Sequence, residues 1–375
     1  MKYLAFYDVK KNESENRIHY LPSSNKIKYI CECIDKLNMP CEILSLSGTK
    51  AKASVNKKTI EISKNIKLQL PKSFGNRNRV VRILDRYLIR ITTLFKLLKM
   101  KRNETLIVYH TPATMPLVYL TKKIKKVNLV LEVEEIYGDV WGKHKLSKKE
   151  MRYFNIADKY IFPTELLNEK VNTKNKPYTI IHGTYRVEDD RNCSFNDNKT
   201  HIVYAGTLDP RKGCLDAVKT AEYLDESYEI HILGFGTEKE KKELFNTIDN
   251  TNEKSSCKVS FGGLLSGDEY IEFIQSCHIG LCTQTPDAAF TNTSFPSKVL
   301  SYMTNGLRVV SIRIKAIEKS AVGDLIYYYD ESNPETIANV IKSIDFNDNY
   351  DGRKIIKQLD ITFTSELKKM LEIIK

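Results

Sequence analysis

The sequence predicts an α/β protein of two parallel-sheet units. Three observations carry this. Short apolar runs alternate with helix-period segments, and the alternation occurs twice. A polar stretch, "RVEDDRNCSFNDNKT" (186–200), separates the two series and reads as a linker. The charge changes sign between them: residues 1–200 carry 39 Lys/Arg against 21 Asp/Glu, residues 201–375 carry 20 against 26. Opposite charge in the two halves suggests different partners.

In the first series, "KYLAFYDV" is a buried strand, "KIKYICECIDKLN" a helix and "CEILSLS" a strand. "ETLIVYH" is a strand, "PLVYLTKKIKK" a helix and "VNLVLEVEE" a strand, and "ADKYIFPT" and "PYTIIHG" are two further short strands. The second series has strands at "HIVYAGTL", "YEIHILGFG", "CKVSFGG", "HIGLCTQ" and "LRVVSI". Helices separate them at "CLDAVKTAEYL", "KEKKELFNTI", "DEYIEFIQSC" and from about Pro296 to Gly306. "DITFTSELKKMLEIIK" reads as a final helix opened by Thr, Ser and Glu. The expected domains are 1–190 and 191–360, followed by a last helix at 361–375.

With 41% hydrophobic and 28% charged residues the chain is globular in composition. No apolar run approaches the roughly 18 residues of a membrane span, and the start reads as no secretory signal, so a cytoplasmic protein is expected. The eight cysteines form no C-x-x-C pair and have no nearby histidines at metal spacing. Reduced thiols and no metal cofactor follow as expectations.

Several segments can carry chemistry. In "YAGTLDPRKGCLDAV", Gly206 ends a strand, and Arg211 and Lys212 precede a helix start where backbone N–H groups suit a phosphate. Gly234 ends the next strand, where backbone can approach a ligand; a tight turn explains it equally. In "TNTSFPSKVLSYMTNG", Thr293 or Ser294 can cap a helix with Pro296 in its first positions. Lys298 then lies in the first turn, against the helix dipole, which makes sense if an anion sits there; simple solvation is the alternative. His110 ends a strand and should face a cleft, as base, donor or orienter, or as a structural histidine. Glu132, Glu134, Glu135 and Asp139 cluster at another strand end, to bind sugar hydroxyls, to act as a base, or to form a charged rim offsetting lysines. Residues 72–102 hold ten Lys/Arg and one acid, with Arg79, Arg82, Arg86 and Arg90 at helical spacing. That run fits an anionic membrane surface, or a domain helix with its apolar face in the core. It lacks the interleaved aromatics of a nucleic-acid binder, and no nucleic acid is expected.

The order of "HIVYAGTLDPRKGCLDAVKTAEYL", "YEIHILGFG", "KVSFGGLLSGDEYIEFIQSCHIGLCTQ" and "TNTSFPSKVLSYMTNGLRVVS" resembles the donor-binding domain of glycosyltransferase family 4. "EILSLS", "VYHTPATMP" and "EVEEIYGD" are similar, more loosely, to its acceptor domain. The resemblance implies the GT-B fold, two Rossmann-like domains facing a cleft, with the last helix crossing back. It implies that Lys212 contacts a donor diphosphate, that His110 lies beside the transferred sugar, and that Ser294, Phe295, Pro296, Ser297 and Lys298 match the loop and helix start whose amides hold the diphosphate. Glu134 and Glu135 are acceptor-side candidates. The chain departs from the family at Thr207, where an arginine is usual, and at Thr293 and Ser301, where glutamates are usual. A glycine-rich loop after the first strand is replaced by "YLPSSNKIKY".

The implied function is transfer of a sugar from a nucleotide-sugar donor to a hydroxyl of a glycan or lipid-diphosphate-linked acceptor, with retention of configuration and without a metal. The place of action would be the inner face of a membrane. A sugar-nucleotide epimerase and a non-catalytic binding protein of the same fold are the rivals.

Overall fold

The computed structural model describes residues 1–9, 15–285 and 293–372. They divide into two compact units: Met1–Thr184 with Ile361–Lys375, and Tyr185–Asp360.

Unit 1 is built on strands β1 (Lys2–Ala5), β2 (Cys41–Ser45), β3 (Lys58–Glu61), β4 (Ile66–Leu70), β5 (Thr105–Tyr109), β6 (Asn128–Glu132), β7 (Lys159–Phe162) and β8 (Tyr178–Ile180). Their order across the sheet is β3-β4-β2-β1-β5-β6-β7-β8. Every pair is parallel except β3 with β4. Helices accompany them at α1 (Leu21–Lys36), α2 (Arg79–Leu98), α3 (Met115–Lys125), α4 (Tyr137–Val140), α5 (His144–Phe154) and α6 (Glu165–Val171). The central strands read as continuous apolar runs because both faces are covered, as parallel sheets require. Leu106–Val108 and Leu129–Leu131 are fully buried. The β3–β4 hairpin is an addition that the sequence reading passes over. β4 alternates strictly, with Ile66, Leu68 and Leu70 inside and Lys67 outside. Its partner β3 bears Lys58 and Glu61, the charge that commonly blunts a sheet edge.

Unit 2 holds β9 (Thr200–Thr207), β10 (Tyr228–Phe235), β11 (Lys258–Gly263), β12 (Ile279–Cys282), β13 (Arg308–Ile312) and β14 (Ile326–Tyr329). They form one parallel sheet in the order β11-β10-β9-β12-β13-β14. Helices α7 (Cys214–Lys219), α8 (Glu238–Lys254), α9 (Asp268–Gln275), α10 (Ser297–Thr304), α11 (Lys315–Glu318) and α12 (Pro334–Lys342) connect them. α8 starts with a reciprocal cap, Thr237 with Glu240. The order reverses at β9, with β10 on one side and β12 on the other. This is the topological switch point where open parallel sheets take ligands, at the carboxyl ends of their strands.

The polar stretch 186–200 is pinned to unit 2. The Arg191 guanidinium holds Glu272 at 3.0 Å and Asp268 at 2.5 Å, and Phe195 stacks on His231. The final helix α13 (Gly352–Leu371) begins earlier than the sequence suggests. From Ile361 onward it belongs to unit 1, where Phe363 and Leu367 are buried. All eight cysteines are free thiols, seven of them buried. Among the described residues no helix is long and apolar enough to cross a membrane.

Candidate anion-binding site

The carboxyl end of β9 meets the start of α10. In this helix Lys298 and Tyr302 are four residues apart and share a face. Tyr302 is fully buried across Gly280 of β12. Its hydroxyl accepts from the Ala205 amide at 2.8 Å and lies 3.3 Å from the Leu281 carbonyl. This phenol ties α10 to β9 and β12 together, and it fixes Lys298 one turn towards the helix start. Lys298 then runs over Gly206. A Cβ at residue 206 would lie 2.6 Å from Lys298 Cε and 2.9 Å from Nζ, so glycine is needed for the lysine to pass. Gly234 lies opposite Gly206 in the neighbouring strand, and Phe235 opposite Thr207.

The Lys298 ammonium ends 3.5 Å from the centre of the Tyr204 ring, a cation–π contact. Its stem is partly open, but Nζ is sealed and has no hydrogen-bonding partner among the described residues. Burial, with added repulsion from Lys212, depresses it from 10.5 to about 8. The alternative of a solvated lysine is therefore corrected. Among the described residues this ammonium has no counter-ion, and α10 has no acid in its first turn, an arrangement that favours negative charge nearby.

The expected cap is corrected as well. α10 starts at Ser297, directly after Pro296, and no side chain caps it. Proline favours an extended residue before it, which keeps Phe295 out of the helix. Phe295 is buried, and Thr293 and Ser294 precede it in a partly exposed turn. Ser301 Oγ is 3.0 Å from the Tyr270 hydroxyl.

The Pro210–Lys212 turn is clamped onto the carboxyl end of β12. Gly213 has φ +75°, and a Cβ there would fall 1.8 Å from the Thr283 carbonyl oxygen. Thr283 Oγ1 donates to the Gly213 carbonyl at 2.7 Å, and the Thr285 amide and hydroxyl both donate to the Arg211 carbonyl. The Tyr204 hydroxyl lies 2.8 Å from the Thr207 carbonyl and 3.2 Å from that of Lys212. One tyrosine thus seats the ammonium of Lys298 on its ring and braces the Lys212 turn with its hydroxyl. Arg211 is different. It folds back onto Asp209, with Nε at 3.0 Å and a terminal nitrogen at 2.6 Å, and is largely exposed.

In unit 1 the structure corrects His110. Expected at an open strand end, it has a fully buried side chain. Its Nε2 is 2.8 Å from Glu150 Oε1, and Tyr137, Tyr153 and Phe154 surround the ring. Burial pushes its pKa below 6.5, against the pull of Glu150. Glu150 also accepts the amides of Tyr137 and Gly138 at 3.1 and 2.7 Å, so it caps the start of α4. His110 is thus packed inside unit 1, bonded to the glutamate that holds the start of α4. Glu134 is ion-paired with the buried Lys26, whose ammonium also donates to the Ile181 carbonyl at 3.0 Å. Glu135 is half-buried, and desolvation and then Glu134 raise its pKa. Glu132 is buried, hydrogen-bonded by Tyr3 and pushed upward by desolvation and then Glu134.

Among the described residues, a group that could ligate a metal lies elsewhere. Asp197, His201 and Glu229 bring ligand atoms within 4.8 Å of one another, at the amino-terminal end of β9 and β10. There Asp197 already binds His201 Nε2 at 2.8 Å, and Lys199 lies 3.4 Å from Glu229.

Sequence reasoning missed Tyr204, Tyr302 and Glu150. The Lys298–Tyr302 spacing was the available signal for the second. Glu150 had none, because its partner His110 lies forty residues away.

Two parallel-sheet α/β units, one with cations gathered at its switch point, define a GT-B fold. Solved structures of that class match over nearly the whole chain. They include the E. coli trehalose-6-phosphate structure bound with UDP-2-fluoro glucose (TM-score 0.66, 11% identity, 99% of each chain covered). HepE of Anabaena in complex with UDP and glucose matches with TM-score 0.64 and 13% identity, again over 99% of each chain. Sucrose-phosphate synthase of Thermosynechococcus elongatus matches with TM-score 0.66 and 11% identity, over 99% of each. Residues 186–357, nearly all of unit 2, match the family described as glycosyl transferases group 1. No curated protein matches the sequence.

Proposed function

We propose that the protein is a glycosyltransferase that binds a nucleotide sugar through unit 2 and transfers its glycosyl group to a hydroxyl of a glycan or lipid-diphosphate-linked acceptor. The observation that carries this is the sealed, unpartnered Lys298 ammonium over Tyr204, beside the clamped Lys212 turn. Bond cleavage leaves a nucleoside diphosphate with growing negative charge. Lys298, Lys212 and the amides at the start of α10 are preorganised to stabilise it, and this charge-directed help is a large term in such catalysis. The group 1 match of unit 2 and the UDP complexes of the E. coli and Anabaena structures support a nucleotide-sugar donor.

As a member of family 4, the proposed transferase would act in cell-surface polysaccharide synthesis at the inner face of a membrane. It assigns hydroxyls, Thr293 and Ser301, where that family uses glutamates. It keeps retention of configuration, which the anomeric proton of the product reports by NMR. His110 serves as a positioning residue through Glu150. No metal takes part in the reading.

Calorimetric titration with UDP-, GDP- and TDP-sugars tests it. Binding of one of them, weakened by Lys212→Ala, is expected. Absence of binding to all three overturns it, and turnover of a sugar nucleotide without acceptor would make the protein an epimerase.

A further inference from the structure

Three of the seven histidines of the chain stand together in unit 2, at the end of the sheet opposite Gly206. His201 lies at the start of β9, His231 in β10, and His278 just before β12. The His201 and His231 rings are 5.1 Å apart and nearly parallel, and Phe195 covers both, at 4.0 and 5.0 Å. Glu229 is paired with His201 in the β9–β10 register, so the two side chains share a face of the sheet. Asp197 reaches the same place from the polar stretch that leads into β9.

His201 has the surroundings of a metal-ligating imidazole. Its side chain is 2% exposed, and its amide donates to His278 Nδ1 at 3.0 Å, so ring and backbone are both held. Its Nδ1 is 2.9 Å from His231 Nε2, and His231 Nδ1 is 2.9 Å from Ser260 Oγ. With Nδ1 protonated, His201 donates to His231, which donates in turn to Ser260. The lone pair of His201 Nε2 is then left for a ligand on the side of Asp197, whose Oδ1 is 2.8 Å away. A hydrogen bond from the far ring nitrogen is what fixes the tautomer of a ligating histidine.

The donor set also fits in size and charge. The ligand atoms of Asp197, His201 and Glu229 lie within 4.8 Å of one another. Zinc bonds of about 2.0–2.2 Å need them roughly 3.3–3.6 Å apart. The two carboxylates, 36 and 24% exposed, can close that gap by rotation towards the fixed imidazole. Their two negative charges match a divalent ion. Lys199, 3.4 Å from Glu229 and one-third exposed, now offsets part of that charge, and such a surface pair is weak enough to yield to a dication. The imidazole selects the zinc class over magnesium, which takes oxygen ligands and keeps its waters.

We infer that Asp197, His201 and Glu229 bind a zinc-class divalent ion, with water completing the shell. The ion fastens the end of the 186–200 stretch to the first residues of β9 and β10. Five residues of β9, about 16 Å, separate this site from Gly206, so it neither takes part in the donor reading nor rests on it.

The test is calorimetric titration of the full chain, stripped with chelator, with zinc chloride and separately with magnesium chloride. One zinc ion per chain is expected, bound roughly tenfold or more tightly than magnesium. Asp197→Asn with Glu229→Gln keeps both side-chain shapes at partly exposed positions and removes both charges. Zinc affinity should fall by roughly a hundredfold or more in this variant, with the circular dichroism spectrum kept. A folded wild-type chain that takes up no zinc overturns the inference. So does magnesium bound as tightly as zinc. Zinc binding that the double variant leaves unchanged places the ion elsewhere in the chain and overturns it as well.

Discussion

Replacing Lys298 with methionine keeps the stem over Gly206 and removes the ammonium. The effect follows from burial. A fall from 10.5 to about 8 corresponds to roughly 3 kcal/mol held against the charged form in the folded chain, at 1.36 kcal/mol per unit. The Tyr204 ring offsets about 0.5–2 kcal/mol of this. Lys298→Met should therefore stabilise the protein by about 1–2 kcal/mol at pH 7, seen as a rise in melting temperature of roughly 2–8 °C. The same change should weaken nucleoside diphosphate binding about tenfold or more, by loss of a charge-assisted contact. The linkage has a sign of its own. Between about pH 8 and 10.5 the unfolded chain holds more protons than the folded one, so the wild-type protein gains stability as pH rises through that window. Lys298→Met loses this slope. An anion beside the ammonium raises its pKa again, so binding near pH 8 should take up about half a proton. Calorimetry in two buffers of different ionisation enthalpy reads that uptake, and differential scanning calorimetry reads the stability. A variant that is less stable and binds the diphosphate as tightly as wild type would refute the reasoning, as would equal binding enthalpies in both buffers.

Four further outcomes are expected. Gly206→Ala puts a methyl against the flexible end of Lys298 and should abolish the proton uptake on nucleotide binding, with a small change in melting temperature. Glu150→Ala unpairs His110 and the amides of Tyr137 and Gly138; chemical denaturation should show a loss of about 3 kcal/mol. His182 and His231 are depressed to about 4 by burial, so the unfolded chain binds more protons between about pH 6.5 and 4, and denaturant midpoints should fall as pH drops through that range. Glu132 is shifted upward by burial, the opposite case. Its cost grows as pH rises above the usual carboxylate range, so Glu132→Gln should be more stable than wild type at pH 7 and lose that advantage near pH 4.5.

The parts of the donor side most legible in the sequence depend on local chain geometry. A glycine at a strand end, a Pro-Arg-Lys-Gly turn and a lysine at a helix start are each defined by a few consecutive residues, which stay together in the fold. The seat under Lys298 was less legible, because Tyr204 lies 94 positions before it and only pairing in the sheet brings them together. His110 was misread for the same reason. Its position after β5 is local, but the aromatic enclosure arrives from Tyr137, Tyr153 and Phe154. α2 shows a different limit. Periodicity reports that a helix has an apolar side, and it does not report which side the domain takes. The clue lay in Asp85 and Thr93 standing in register with Ile89 and Leu97. The late start assigned to α13 came from treating Thr362, Ser365 and Glu366 as an opening cap. In the fold all three lie inside the helix, and Glu366 is hydrogen-bonded by Thr179.

That last helix sets a schedule for biosynthesis. The Lys159 ammonium at the start of β7 donates to the Met370 carbonyl at 2.6 Å and to that of Glu372 at 3.2 Å. Unit 1 emerges first from the ribosome, yet its closing piece is translated only after all of Tyr185–Asp360. At roughly 5–20 residues per second, those intervening residues alone take about 10–35 s. Unit 2 is contiguous and can finish within that time. A nascent chain of this protein therefore carries unit 1 unclosed while the whole of unit 2 is being made.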